Sequence, residues 1–255
     1  MTNTTPQPMP RLVAAAAAAV LAPLAARAQA PLALENAAAR LKPASWTYAS
    51  TLTTNAQSQG FGARTISIAP AKFRGADAWL IVDAQQSPVA KAADSLYLGR
   101  ADLASVRRVT HIAAPMGEIL LSMDFTADSV KGELTASGQK QPLAMANTRG
   151  AVVGDAVVLA ILSALPLAEG WRAELPVLNP QVRGTVPLTL GVSGSEKVTG
   201  PAASFDAWVH HAAGAPTTAT YYVAKGGPVV KVVATLPQLG GATVETVLER
   251  AGAAP

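Results

Sequence analysis

The sequence predicts an α+β fold that is mainly β: a large curled antiparallel sheet, an incomplete barrel, wrapped around one apolar helix. Three observations carry that prediction. Apolar residues fall at every second position through Ile119, Leu121, Met123 and Phe125, and again through Val130, Leu134 and Ala136, the pattern of strands with one dry face and one wet face. Ala156 to Leu165, AVVLAILSAL, carries no charge on any side, and a helix apolar all round must be buried all round. Strand-like segments flank that helix on both sides without βαβ alternation, which favours antiparallel over parallel pairing.

The elements follow in chain order. A polar stretch ending at Arg11 precedes an uncharged apolar run, Leu12 to Ala26, shorter than the roughly 20 residues that span a bilayer but matched to the core of a secretory signal peptide. Small-residue triplets end at Ala28 and Ala30, and cleavage after Ala30 would place Pro31 at the cut. The expectation is a signal peptide over 1–28, a mature chain from Gln29, and export to the periplasm. The leader holds Arg11 and Arg27 and no acid. Of 20 basic residues, 18 then remain against 16 acidic ones, a net charge of +2. With no cysteine, thiolate metal sites, thiol catalysis and lipidation of an N-terminal cysteine are all excluded, so the expected protein is not a lipoprotein.

Residues 29–45 form an N-terminal segment in which LALENAAARL, Leu32 to Leu41, reads as a short surface helix; one antiparallel half-barrel domain then fills 46–255. Trp46 to Thr54, Arg64 to Ala69 and Ala78 to Asp83 are strands by their β-branched and aromatic content, followed by weaker ones at Leu96 to Leu98 and Val106 to Ile112. Ile119 to Phe125 and the alternating segment from Val130 form a hairpin about Thr126-Ala127-Asp128. Gly154-Asp155 reads as the N-cap of the apolar helix, and Pro166 closes it. Strands return at Trp171 to Leu175 and at Val186 to Val192, where Pro187 suggests an edge position. Gly191 to Gly194 reads as a turn before Ser195 to Thr199. Phe205 to Ala212, then Thr220 to Ala224 and Val229 to Leu236 around Lys225-Gly226-Gly227-Pro228, and finally Thr243 to Glu249 complete the series.

Few chemistries find support. Gly191-Val192-Ser193-Gly194-Ser195 lacks the last glycine of a nucleophile elbow and precedes no helix. No phosphate-cradling or dinucleotide pattern is present, and no run of cations longer than Arg107-Arg108 could track a nucleic-acid backbone. His210 and His211 are neighbours in a strand and so point to opposite faces, with His111 far away in sequence. Asp83 and Asp94 could meet as a carboxylate pair, although a strand end and a loop more often use such groups for capping. The reading is therefore non-enzymatic, with no metal, no cofactor, no nucleic-acid partner and no membrane span after processing. Trp79, Ile119, Leu121, Met123, Phe125, Val157, Ile161 and Trp208 are the candidate lining of a concave apolar surface that is either core or a cavity for an apolar, lipid-like ligand.

LPLAEGW at Leu165 to Trp171, Ala207-Trp208, TYYVAK at Thr220 to Lys225 and VVKVVATLP at Val229 to Pro237 resemble a bacterial family of periplasmic proteins with a domain of unknown function, and more remotely the lipoprotein-carrier superfamily. The resemblance spans about Arg64 to Arg250. It implies an incomplete β-barrel curled around helix, with a greasy inner face able to hold acyl chains. Two functions follow as expectations: a periplasmic binding protein for an apolar or lipid-like ligand, or an envelope assembly scaffold or interaction module, with envelope proteins as partners and a packed interior.

Overall fold

A computed structural model describes residues 32–148, 150–179, 182–214, 218–237 and 240–254. The leader and the expected cleavage positions Ala28 and Ala30 lie outside the described residues. Fourteen strands form one sheet in the order β8-β7-β6-β5-β4-β3-β2-β1-β14-β13-β12-β11-β10-β9, antiparallel at every pairing. The first meander comprises β1 (Ala44–Thr54), β2 (Gln57–Phe73), β3 (Ala76–Gln86), β4 (Lys91–Gly99), β5 (Ser105–Ala114), β6 (Gly117–Phe125), β7 (Ser129–Ala136) and β8 (Gln139–Ala146). The chain then enters the interior as α2 (Asp155–Ala164), after the short α1 (Leu34–Ala38) near the start. It leaves to build β9 (Arg172–Asn179), β10 (Gly184–Thr199), β11 (Ser204–Ala213), β12 (Thr218–Ala224), β13 (Val229–Leu236) and β14 (Ala242–Gly252).

This order has a direct mechanical reading. β1 pairs with β14, so the two meanders join through the first and last strands, and the sheet edges are β8 and β9, the strands that flank α2 in sequence. Twisted sheets seldom exceed about ten strands without curling, and here the curl brings the edges close without closing them: Arg183 Nη2 donates to the Ala144 carbonyl at 3.2 Å. The connecting chain covers part of β9. Val152 N donates to Pro176 O and Leu178 N to Val152 O, at 2.9 and 2.8 Å, the one parallel bridge among the described residues. The edge strand β8 is guarded differently, by exposed Gln139, Lys140, Gln141 and Pro142, which discourage further pairing.

The predicted sheet and helix are both present, and α2 is enclosed: Ala156 through Leu162 are all buried, with Val157, Leu159, Ile161 and Leu162 at 0 % exposure. Inner-face rows from both meanders surround it, among them Ile66 and Ile68 of β2, Trp79 and Ile81 of β3, Leu96 and Leu98 of β4, and Leu188 and Leu190 of β10. α1 packs on α2. The expected surface helix therefore has a dry side, since Leu34, Ala37 and Ala38 are buried in the same core.

Four local expectations change. The expected Gly154-Asp155 cap narrows to Gly154, which is the N-cap without a side-chain bond and at φ 85°, a conformation that strains any residue with a Cβ; Asp155 is already the first helical residue, and its carboxylate bonds Arg64 and Tyr221. Gly191 to Gly194 is not a turn. β10 runs straight through it with a bulge between Val192 and Gly194, so an extra residue, not a reversal, explains the loss of alternation. β10 is also not an edge strand, but β11 reaches only as far as Thr189, and beyond it Pro187 faces Pro176 of β9, a pair with no N–H to exchange. Gln139–Ala146, not anticipated as a strand, is β8, its alternation hidden because both faces are mostly exposed. Beside it, Gly132 of β7 is a close approach, since a Cβ there would collide with the carbonyl of Ser122 on β6.

Ile161→Asp should yield no folded protein, because an unpaired buried charge costs an amount comparable to the 5–15 kcal/mol stability of a domain. Ile161→Val should lose only about 1 kcal/mol. Cooperative thermal melting of the aspartate variant at wild-type temperature would refute the central placement of α2.

Candidate functional site

Two features occupy opposite ends of α2. At its N-terminal end the inner face of the sheet turns polar, because in four adjacent strands a charged or polar residue continues the inward apolar row: Arg64 before Ile66 and Ile68, Asp83 after Trp79 and Ile81, Asp94 before Leu96 and Leu98, and Arg108 with Thr110 on β5. Asp83 and Asp94 are direct cross-strand partners, so the expected carboxylate pair exists in register. Unshielded, it would be repulsive. Each carboxylate instead has its own arginine. Arg64 forks onto Asp83 with Nε–Oδ1 at 2.9 Å and Nη2–Oδ2 at 2.8 Å. Arg108 grips Asp94 at 2.9 and 2.7 Å, and Thr110 Oγ1 donates to the same carboxylate at 2.8 Å.

Arg64 also ties the sheet to the helix. Its Nη1 donates to Asp155 Oδ2 at 2.6 Å, and the Tyr221 hydroxyl from β12 donates to Asp155 Oδ1 at 3.0 Å. Asp94 stands beside the same terminus, since a Cβ added to Gly154 would lie 3.7 Å from its Oδ2. Three carboxylates thus meet two guanidiniums, and the residual negative charge faces the positive end of the α2 dipole, worth about half a charge. Burial pulls the Arg64 pKa down, but the charges of Asp155 and of hydrogen-bonded Asp83 together raise it above the ordinary arginine value. Burial, then the charge of Asp155, raises the Tyr221 pKa. Burial likewise holds Tyr48 protonated, and its hydroxyl donates to the Val229 carbonyl at 3.0 Å. Every member of the cluster is consumed by another member. Removing Arg64 would strand the buried Asp83 carboxylate, a change of the class that costs about 3–5 kcal/mol.

At the C-terminal end of α2 lies a cleft of about 600 Å³. Its accessible apolar surface comes chiefly from Leu165, Pro166, Leu167 and Trp208 of β11, with buried Leu162 and Trp46 of β1 behind them; Arg40 and Lys42 after α1 and the Gly226-Gly227-Pro228 turn also border it. The Lys225 ammonium sits 4.2 Å from the centroid of the Trp208 ring.

The eight candidate lining residues are dispersed. Only Trp208 borders the cleft. Trp79, Met123, Val157 and Ile161 are fully buried, and the guanidinium of Arg100 lies 3.6 Å over the Trp79 ring. Leu121 and Phe125 pack half-buried against the core, while Ile119 is 37 % exposed on a hairpin tip that also shows Leu120 and Met116. His210 and His211 do point to opposite faces. His211 Nδ1 shares a hydrogen bond with Thr220 Oγ1 at 3.2 Å, whereas His210 is 0 % exposed, 5.2 Å from the Trp171 ring, with neither ring nitrogen bonded within the described residues. Burial, and then the charge of His211, lowers its pKa to about 4. His111 lies 3.7 Å from Glu118 at the surface. Among the described residues no three of His, Asp or Glu converge as metal ligands, and no helix is long and apolar enough to cross a membrane.

The family model for proteins of unknown function DUF3108 matches residues 47–246. The chain belongs to the DUF3108 family. Among solved structures it is similar to a β-barrel-like protein of domain of unknown function DUF1849 from Brucella abortus, at 11 % identity and TM-score 0.56 over 85 % of this chain and 99 % of that one. It also aligns with a candidate lipoprotein from Parabacteroides distasonis at 10 % identity and TM-score 0.30, over 84 % and 96 % of the two chains. No curated protein matches. The first likeness agrees with the barrel-like fold of this DUF3108 chain.

His210 predicts a pH dependence. Between about pH 6.5 and 4 the unfolded chain takes up a proton that the folded chain refuses, so this residue's contribution to stability falls as pH drops through that window, by roughly 3 kcal/mol in all. Denaturant unfolding at pH 7, 5.5 and 4 should show a shallower acid loss for His210→Phe than for wild type. Parallel losses in the two proteins would contradict the neutral buried imidazole.

Proposed function

We propose that this DUF3108 protein is a non-enzymatic protein of the bacterial periplasm that binds an apolar or lipid-like ligand, seated at the cleft where α2 ends. The observation that carries the reading is that cleft: about 600 Å³, floored by leucines and flanked by Trp46 and Trp208, within the range of about 300–1,000 Å³ typical of small-molecule sites. It opens at the C-terminal end of the helix. Because α2 packs against the inner face of the sheet, this reading seats the ligand at the end of the helix and not along the sheet. The non-enzymatic part rests on the inner polar cluster, whose groups are tied to one another at 2.6–3.0 Å and not presented to the cleft. The periplasmic part rests on the signal-like leader, and the resemblance to lipoprotein carriers supports a greasy ligand.

A second reading, an envelope interaction module, is favoured by the filled interior and by the exposed Met116, 95 % accessible, with Leu120 and Ile119 near it on the β5–β6 hairpin. Nile red, an uncharged apolar dye, separates the two. Saturable binding at one equivalent, weakened at least tenfold by Ala39→Trp, which fills the cleft from an exposed position, supports the binder. No saturable binding, or binding indifferent to Ala39→Trp, favours the module.

A further inference from the structure

We infer that the cleft selects a long-chain carboxylate, a single-chain amphiphile whose tail lies along Leu165, Pro166, Leu167 and Trp208 while its head meets Arg40 and Lys42. The inference rests on the apolar-ligand reading and adds the charge and shape of the ligand. Its basis is the asymmetry of the lining. Two cations border the cleft, no acidic residue does, and among the described residues neither Arg40 nor Lys42 is paired with a carboxylate. Some surface cations elsewhere are ion-paired, as in Lys72–Asp77, Arg74–Asp124, Lys140–Glu133 and Lys231–Glu245, and others such as Lys91 and Lys197 are not, so the distinguishing feature of the cleft is two cations in a lining that holds no acid.

The opposing field is smaller. The end of α2 that enters the cleft carries the negative pole of its dipole, about half an elementary charge, against two full positive charges at Arg40 and Lys42. A net of roughly one and a half positive charges suits one monoanionic head. Lys225, the third cation nearby, is already engaged: its Nζ lies over the Trp208 ring and donates to Ser195 Oγ at 3.4 Å. A guanidinium fork also matches a planar carboxylate in two-point geometry, as an ammonium cannot. Both cations sit in the chain between α1 and β1, at exposed positions, so an arriving head can reach them while the tail enters along Leu165 and Trp208.

Three probes with the same twelve-carbon tail test the inference on the full mature chain below their micelle concentrations: laurate, dodecyl maltoside and dodecyltrimethylammonium, titrated by calorimetry. Laurate should bind at least tenfold tighter than the maltoside, with the ammonium weakest, and its advantage should shrink as salt rises. Arg40→Ser/Lys42→Ser should bring laurate down to the maltoside level, with an unchanged melting temperature showing that the variant is folded. Equal binding of all three probes, or a laurate preference that survives the double substitution, overturns the carboxylate inference and leaves the apolar-ligand reading standing. Binding of none overturns both.

Discussion

A ten-residue helix without a polar face must be surrounded, and the architecture of this DUF3108 chain answers that constraint. Ala156 to Leu162 are buried on every side, so no flat sheet could serve, because a flat sheet covers one face only. Fourteen strands supply enough width to curl, and the chain order makes the curl close on the right segment. With β1 joined to β14, the open edges are the strands immediately before and after the helix. The seam through which α2 enters is then covered by its own connections, notably the Val152 bridge to β9.

Burying the body of a helix raises a second problem, since its ends carry unsatisfied polar groups and partial charge. The N-terminal end is met by the Asp83–Arg64–Asp155–Tyr221 chain and by Asp94 held on Arg108. A salt bridge inside a protein often adds little net stability, because desolvation offsets the attraction. Here the bridges also fix position: Arg64 links β2, β3 and α2 through one side chain, setting the rotation and depth of a helix whose uniform apolar surface could not define either. The C-terminal end has no such clamp, and the space beside it is the cleft.

The gross fold was legible because period-two alternation and an uncharged helix are strong signals with one geometric solution. β13 was read to its exact ends, and α2 to within one residue at each end. Failures came where the signal was weak or was broken by one residue. β8 lacks a dry face, and the Val192–Gly194 bulge imitates a turn. The inner polar cluster leaves a trace in the sequence: Arg64, Asp83 and Asp94 stand in phase with the buried rows of their strands, and a charge on the dry side of an alternation implies a partner facing it. The sequence offers Asp83 and Asp94 as a pair, but Arg64 and Arg108 supply the partners, and only the register brings all four together. The cleft is not legible, because its lining comes from three separated stretches, around Arg40 to Trp46, Leu165 and Pro228, that share no pattern. Six of the eight candidate lining residues lie on strands and two, Val157 and Ile161, on α2; strand alternation and an apolar helix mark dry faces without saying whether helix or ligand fills the space between them.

The central claim is that α2 is the enclosed core on which the sheet curls, and native-state hydrogen exchange resolved to single amides tests it most directly. The amides of Leu159 to Ser163 should exchange only through global unfolding, with opening free energies equal to those of the slowest amides in β2 and β3. Exchange of those helix amides through a low-energy local opening, while the sheet stays protected, would contradict the account.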